Sequence, residues 1–169
     1  ALLACGVLEK PDQISILTST DQISDAFDLV FCVSHQEILS DEQLRRPRVG
    51  VFVNHSSDLP TGRGWAPLQW SVLNGLNRIT ITLFKVLPNS PVDTGPWVYK
   101  ASFPIDKCDT IETLRERDLE VSLQLFKKLI IDTRDGSLSY KTQSGVATYF
   151  RKRTPEDSEL NSELSLKEL

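Results

Sequence analysis

The chain has 169 residues, of which 40% are hydrophobic and 25% charged, and carries a formal net charge of −4. These values describe one globular domain with a single core and exclude a chain disordered throughout. The acidic balance argues against broad binding to nucleic acid or anionic membranes, and no apolar run reaches the length of a bilayer span.

The chain opens without Met inside the apolar run "ALLACGVL" and closes on the helix-like "ELSLKEL", as expected of a piece of a longer protein, and no leader pattern is read in that opening. Residues 13–19, "QISILTS", alternate in the manner of a strand. Residues 26–34, "AFDLVFCVS", form a continuous apolar run of the kind a strand buried on both faces carries. In "SDEQLRRP", Ser40 and Gln43 make a capping box and Pro47 ends a short helix. A second buried strand follows at residues 48–54, "RVGVFVN", so two apolar strands are joined by a helix in a right-handed βαβ unit. The next helix has Pro67 in its first turn, Leu68, Val72 and Leu73 as its apolar face and Gly75 as its stop. Residues 78–87, "RITITLFKVL", and the segment after Gly95-Pro96 are strand-like. From Thr110 a long helix is expected to bury Ile111, Leu114, Leu119, Leu123, Phe126 and Ile130. The tail after Gly136 is polar, with one short strand candidate at "VATYF". The sum is an α/β domain with a largely parallel sheet flanked by helices, in which ligands bind beyond the carboxyl ends of the strands.

Cys5, Cys32 and Cys108 are widely spaced. Cys5 and Cys32 lie in apolar settings and read as buried free thiols of a reducing compartment, which places the protein in the cytoplasm. With two histidines and three scattered cysteines, no metal site is expected.

The chemistry-bearing residues cluster after the second buried strand. His55 stands at its carboxyl end beside Asn54; the plain alternative is a turn former next to a satisfied strand-end histidine. "PTGRGW" (60–65) offers backbone N–H groups and Arg63 to an anion, or is simply a turn that needs glycine. "VDTG" (92–95) places Asp93 before a tight turn, where an Asx turn is the plain alternative. Ser56 and Ser57 beside His55 do not make a hydrolase, because no G-x-S-x-G elbow is present. "RKRTPEDSEL" reads as a solvated charged segment.

Four stretches in order resemble the formyltransferase family, which uses 10-formyltetrahydrofolate to formylate glycinamide ribonucleotide, methionyl-tRNA and amino sugars. They are "AFDLVFCVSHQEILSDEQLRRPRVGVFVNHSSDLP", "GRGWAPLQWSVLNG", "ITITLFKVLPNSPVDTGPW" and "QSGVATYFRKRTPEDSEL". The second is similar to the family's G-x-x-P-x-x-W-x-x-x-x-G helix and the third to its D-x-G loop. The wording "SDLPTGRGWAP" looks closer to the small bacterial sugar-modifying branch than to the tRNA enzyme.

The resemblance implies a Rossmann-like fold, with residues 1–150 as the catalytic domain, its first strand and helix partial or missing, and 151–169 as the start of a linker or extension. It implies the catalytic residues His55, Asp93 and Asn54, with His55 as base, Asp93 orienting it and Asn54 facing the oxyanion. It implies a pterin lying against Ser34, His35, Gln36, Glu37, Ile38 and Leu39, and an acceptor whose phosphate or sugar meets Arg63 and Trp65. The activity implied is formyl transfer from 10-formyltetrahydrofolate to a small-molecule primary amine, that of a nucleotide-linked amino sugar. The alternatives are methionyl-tRNA as acceptor, which would be the one nucleic-acid partner, and a degenerate binding domain without activity. One departure carries weight. The family spaces its Asn two residues before the His, and that position here is Val53. The two-residue strand period puts 53 and 55 on one face and 54 on the other. Asn54 therefore reaches His55's side only if the strand ends or bulges at Val53.

Overall fold

In the computed structural model, which describes residues 2–6, 13–35 and 37–159, the strands are β1 (Leu2–Gly6), β2 (Gln13–Leu17), β3 (Leu29–Cys32), β4 (Gly50–His55), β5 (Arg63–Gly64), β6 (Arg78–Lys85), β7 (Trp97–Pro104) and β8 (Tyr149–Phe150). The helices are α1 (Asp41–Arg45), α2 (Pro67–Leu73) and α3 (Ile111–Arg134). Six strands form one sheet in the order β2-β1-β3-β4-β6-β7, and β5 pairs with β8 separately.

The fold is Rossmann-like with a mixed sheet, and the expectation of a largely parallel sheet is corrected. Among the described residues of the six-stranded sheet only β3 and β4 pair in parallel; β1–β2, β1–β3, β4–β6 and β6–β7 are antiparallel. β6 starts near the edge where β4 ends, with Thr82 opposite His55, and runs the other way. The βαβ unit expected around α1 is present, and α1 carries the expected capping box between Ser40 and Gln43.

The sheet separates two apolar layers. On one side Leu29, Phe31, Phe52, Ile79, Ile81 and Leu83 meet Leu114, Leu125, Phe126 and Leu129 of α3, with the Phe31 and Phe126 rings 4.4 Å apart. On the other side Leu17, Val30, Cys32 and Val51 meet Ile23 and Leu44, edged by Leu39, Val53 and Val86. Burial there pushes the free Cys32 thiol up to about 12. Cys108 is a free, exposed thiol, and the Cys5 side chain lies outside the described residues.

Two helix faces differ from expectation. Helix α3 buries Leu114, Ser122, Leu125, Phe126, Leu129 and Thr133, while Leu119 and Leu123 are exposed. Its inner stripe admits polar residues because β4 offers them partners. Helix α2 buries Leu68 and Ser71 and exposes Val72 and Leu73.

Candidate active site

β3 and β4 run side by side, with Cys32 level with Val53. Their carboxyl ends therefore open at one edge, which delivers residues 34–39 and His55 to the same rim. The loop after β6 starts beside the amino end of β4, where the Val86 N–H donates to the Val51 carbonyl at 2.9 Å, and returns to this edge, where the Asn89 N–H donates to Asp41 Oδ1 at 2.9 Å. Gly95 lets the loop close, because a Cβ there would overlap the Lys85 carbonyl oxygen.

His55 and Asp93, 38 positions apart in the numbering, converge. His55 Nδ1 lies 3.9 Å from Asp93 Oδ2, and the two side chains are only 8% and 10% exposed. His55 Nε2 is 2.7 Å from the Gly62 carbonyl oxygen. A carbonyl can only accept, so Nε2 carries the hydrogen and the neutral ring presents its lone pair at Nδ1. Asp93 has a positive φ of 58°, a conformation Asp tolerates better than most residues. Its Oδ2 accepts the Gly64 N–H at 2.9 Å. Gln143 Nε2 clamps the carbonyls of Asp93 and Gly95, each at 2.9 Å. The carboxylate is thus held in place by groups other than the histidine.

Asn54 does not join them. β4 runs unbroken through Asn54 and His55, paired with Leu83 and Thr82 of β6, so the bulge that would turn the amide toward His55 is absent. Asn54 Nδ2 instead donates to Ser122 Oγ of α3 at 2.8 Å, and its Oδ1 is buried with no partner. The expectation that Asn54 faces the oxyanion is corrected: strand alternation sends it to the other face.

Of the loop assigned to the pterin, Ser34 is exposed with a positive φ of 48°. His35 is half-buried, and its Nε2 has no hydrogen-bond partner. Glu37 is exposed and Ile38 is 84% exposed. Leu39 packs beside Val53 under the loop. Gln36 lies outside the described residues. Arg63 is engaged internally, donating to Gln143 Oε1 at 2.7 Å and Tyr149 Oη at 3.1 Å. It therefore supports the Asp93 loop through Gln143. Trp65 is exposed with the Lys152 ammonium 5.1 Å over its ring.

Sequence reasoning missed Gln143 and Thr148. The Thr148 hydroxyl accepts the Gly62 N–H at 2.8 Å; Gln143 and Thr148 both lie in the family-like stretch "QSGVATYFRKRTPEDSEL", whose polar residues give no sign of which ones turn inward. It also missed Asp118, which accepts a 2.6 Å bond from the Ser56 hydroxyl. The signal there was a carboxylate one turn from both Leu114 and Ser122 on the inner stripe of a helix. Among the described residues no group of three or more His, Cys, Asp or Glu side chains could hold a metal, and no helix is long and apolar enough to cross a membrane.

Comparison with known proteins points to one family. Residues 19–130 match the family model described as Formyl transferase. A methionyl-tRNA formyltransferase of Thermodesulfovibrio yellowstonii is 30% identical over 163 residues, which cover 94% of this chain and 52% of that protein. The chain thus spans about half the length of that curated relative. Among solved structures, the methionyl-tRNA formyltransferase from Clostridium thermocellum has a TM-score of 0.74 at 25% identity, covering 91% of this chain and 66% of its own. A sugar 3N-formyl transferase, WlaRD, solved in the presence of dTDP and 5-N-formyl-THF, has a TM-score of 0.62 at 27% identity, covering 73% and 43%.

Proposed function

Because the chain belongs to the formyl transferase family, we propose that it transfers a formyl group from 10-formyltetrahydrofolate to a primary amine, with His55 as the base. The observation that carries this is the convergence of His55 Nδ1 and Asp93 Oδ2 at 3.9 Å on the rim where β3 and β4 end. When bound, 10-formyltetrahydrofolate supplies the formyl carbon. The residues on the rim fit such a group: His35 Nε2 is a buried ring nitrogen lacking a partner, and exposed Ile38 offers apolar cover for a flat ring. Ser34, His35, Glu37 and Ile38 would hold the pterin, with Leu39 anchoring their loop from below.

His55 does the proton work. Its Nε2–H is committed to the Gly62 carbonyl, so Nδ1 would take the proton that the acceptor amine loses as its nitrogen bonds to the formyl carbon, and would return it to the carrier nitrogen as that nitrogen's bond to the formyl carbon breaks. Asp93 faces that nitrogen and stabilises the imidazolium. The 3.9 Å gap is too long for a hydrogen bond, so Asp93 acts there as a charge. Asn54 supplies nothing to the oxyanion from its position against α3. The site works without that side-chain donor, whose loss in comparable sites slows reactions by about 10²–10³.

For the acceptor, a nucleotide-linked amino sugar is the first reading, supported by the net charge of −4 and the likeness to the sugar 3N-formyl transferase. Exposed Trp65 and Lys152 stand at the rim to meet its ring and phosphates. Methionyl-tRNA is the second, favoured by the 30% identity that extends over 94% of the chain. On either reading residues 1–150 are assigned to the catalytic domain and 151–169 to a linker or extension.

The test is formamide formation by the full-length protein supplied with 10-formyltetrahydrofolate and either a dTDP-linked amino sugar or methionyl-tRNA. Turnover of the sugar that is lost in His55→Ala supports the first reading. Turnover of the tRNA alone moves the assignment to the second. No formyl transfer to any amine, in a preparation whose melting temperature rises with 5-formyltetrahydrofolate, leaves a binding domain and sinks the enzymatic reading.

A further inference from the structure

On the face of β4 away from Asp93, helix α3 sends Asp118 and Ser122 toward the end of the strand, beside a largely apolar layer. Asp118 Oδ1 accepts the Ser56 hydroxyl at 2.6 Å. One turn on, the fully buried Ser122 accepts the Asn54 amide at 2.8 Å. Two helix positions four apart thus grip two strand-end positions two apart, and the residue between those two is His55. The match follows from the periods: four helix residues rise about 6 Å and two strand residues about 6.5 Å.

A carboxylate drawn out of water is costly unless it is paired. Burial pushes the Asp118 carboxyl above the usual carboxylate range, while the Ser56 hydroxyl and the charge on His55 pull it the other way. The catalytic scheme above leaves this group unused. The groups facing His55 are few. The loop after β6 contributes Asp93, and the loop after β4 contributes the Gly62 carbonyl. β6 sets uncharged Thr82 opposite it, and beyond Thr82 the β7 residue Lys100 is paired with Asp58. From α3 comes Asp118, whose neighbour Arg117 is turned to Asp106 and Asp109.

We propose that Asp118 is a positioning residue: through Ser56 it fixes the carboxyl end of β4, and with it the His55 ring. Its negative charge on the far side of the strand joins Asp93 in favouring the imidazolium. The proposal rests on the formyl-transfer reading for its rate effects but not for its electrostatics, which the histidine itself reports.

The His55 signal can be followed by NMR titration once it is assigned by its loss in His55→Ala and separated from that of His35 with His35→Gln. Asp118→Asn, which keeps the shape and an acceptor for Ser56, should move the His55 midpoint to lower pH by about half a unit or more, since a lost anion disfavours the protonated ring. The limb of the kcat/KM profile on which His55 must lose its proton should move the same way, and Asp118→Glu should restore part of both shifts. Ser56→Ala keeps the charge but cuts the link, so kcat should fall about tenfold with KM little changed, while the midpoint moves less than in Asp118→Asn. A midpoint and profile that Asp118→Asn leaves unmoved overturn the proposal. A wild-type protein that transfers no formyl group but whose His55 midpoint still answers to Asp118 sinks the formyl-transfer reading and upholds the coupling.

Discussion

The two faces of β4 carry different burdens. Phe52, Asn54 and the adjoining Ser56 look toward the 24-residue α3, a long lever whose inner stripe is welded to the sheet by Phe126 and Leu129. Val51, Val53 and His55 look toward the five-residue α1 and the loops around it. The thick side immobilises the strand, while the thin side leaves its last residue covered by loop backbone. A reactive imidazole needs both: a rigid stem and a cover that is not a helix. Strand alternation supplies them from adjacent residues.

The largest effect that would sharpen this contrast is on the thin side. His55→Ala should lower kcat by about 10²–10⁴, with a folded protein by circular dichroism; a loss of fold instead would make His55 a core residue. On the thick side, Phe126→Ala should cost about 3–5 kcal/mol in urea unfolding, against about 2–3 kcal/mol for Leu44→Ala under α1. Equal losses would erase the difference between the layers. A smaller change crosses the strand. Val53→Asn places an amide on His55's face and should raise kcat about tenfold, whereas Asn54→Ala should cost about 1 kcal/mol of stability and leave the rate of folded protein alone. A rate loss in Asn54→Ala without a stability loss would reverse that assignment.

The smallest effect is in the pH dependence of stability. Asp118 has its carboxyl raised by burial, so the folded state favours its neutral form. Its contribution is fully present below the unfolded carboxylate value and is lost as pH rises through the folded one. Thermal melts of Asp118→Asn should therefore lack that decline and match or exceed wild type at neutral pH. A variant that melts lower at neutral pH, with the same pH dependence, would show the carboxylate to be stabilising.

Much of this was legible in the residues. Continuous apolar runs gave β3 and β4, the Ser40–Gln43 pair gave the start of α1, and the resemblance gave His55 and Asp93, which the loop after β6 brings within 3.9 Å. The sheet's direction was not legible, because an apolar run looks the same read either way along its axis. The fate of Asn54 was legible as a conflict between period and resemblance, and period won because nothing in "GVFVNH" forces a bulge. The stripe on α3 was misread because Leu119 and Leu123 outrank Asp118 and Ser122 in apolarity. The partners of those two polar residues lie more than 60 positions away.

The β5–β8 pair has a consequence for the order of folding. Arg63 N–H and Trp65 N–H donate to the carbonyls of Thr148 and Phe150 at 2.9 and 3.0 Å, so the loop that supplies Gly62 to His55 and Gly64 to Asp93 is zipped to a segment more than 80 residues downstream. Closing so long a loop costs little more than closing one half as long, but it waits on everything between. The sheet and α3 can assemble first; the amides of Gly62, Arg63 and Trp65 gain their partners only when the tail arrives. Hydrogen exchange followed during refolding should then show these amides protected late and together with Thr148, after those of β4. The site is thus completed by the last stretch of chain to dock, and a nascent chain that has not yet delivered residues 148–150 holds its histidine in place with the loop around it still open.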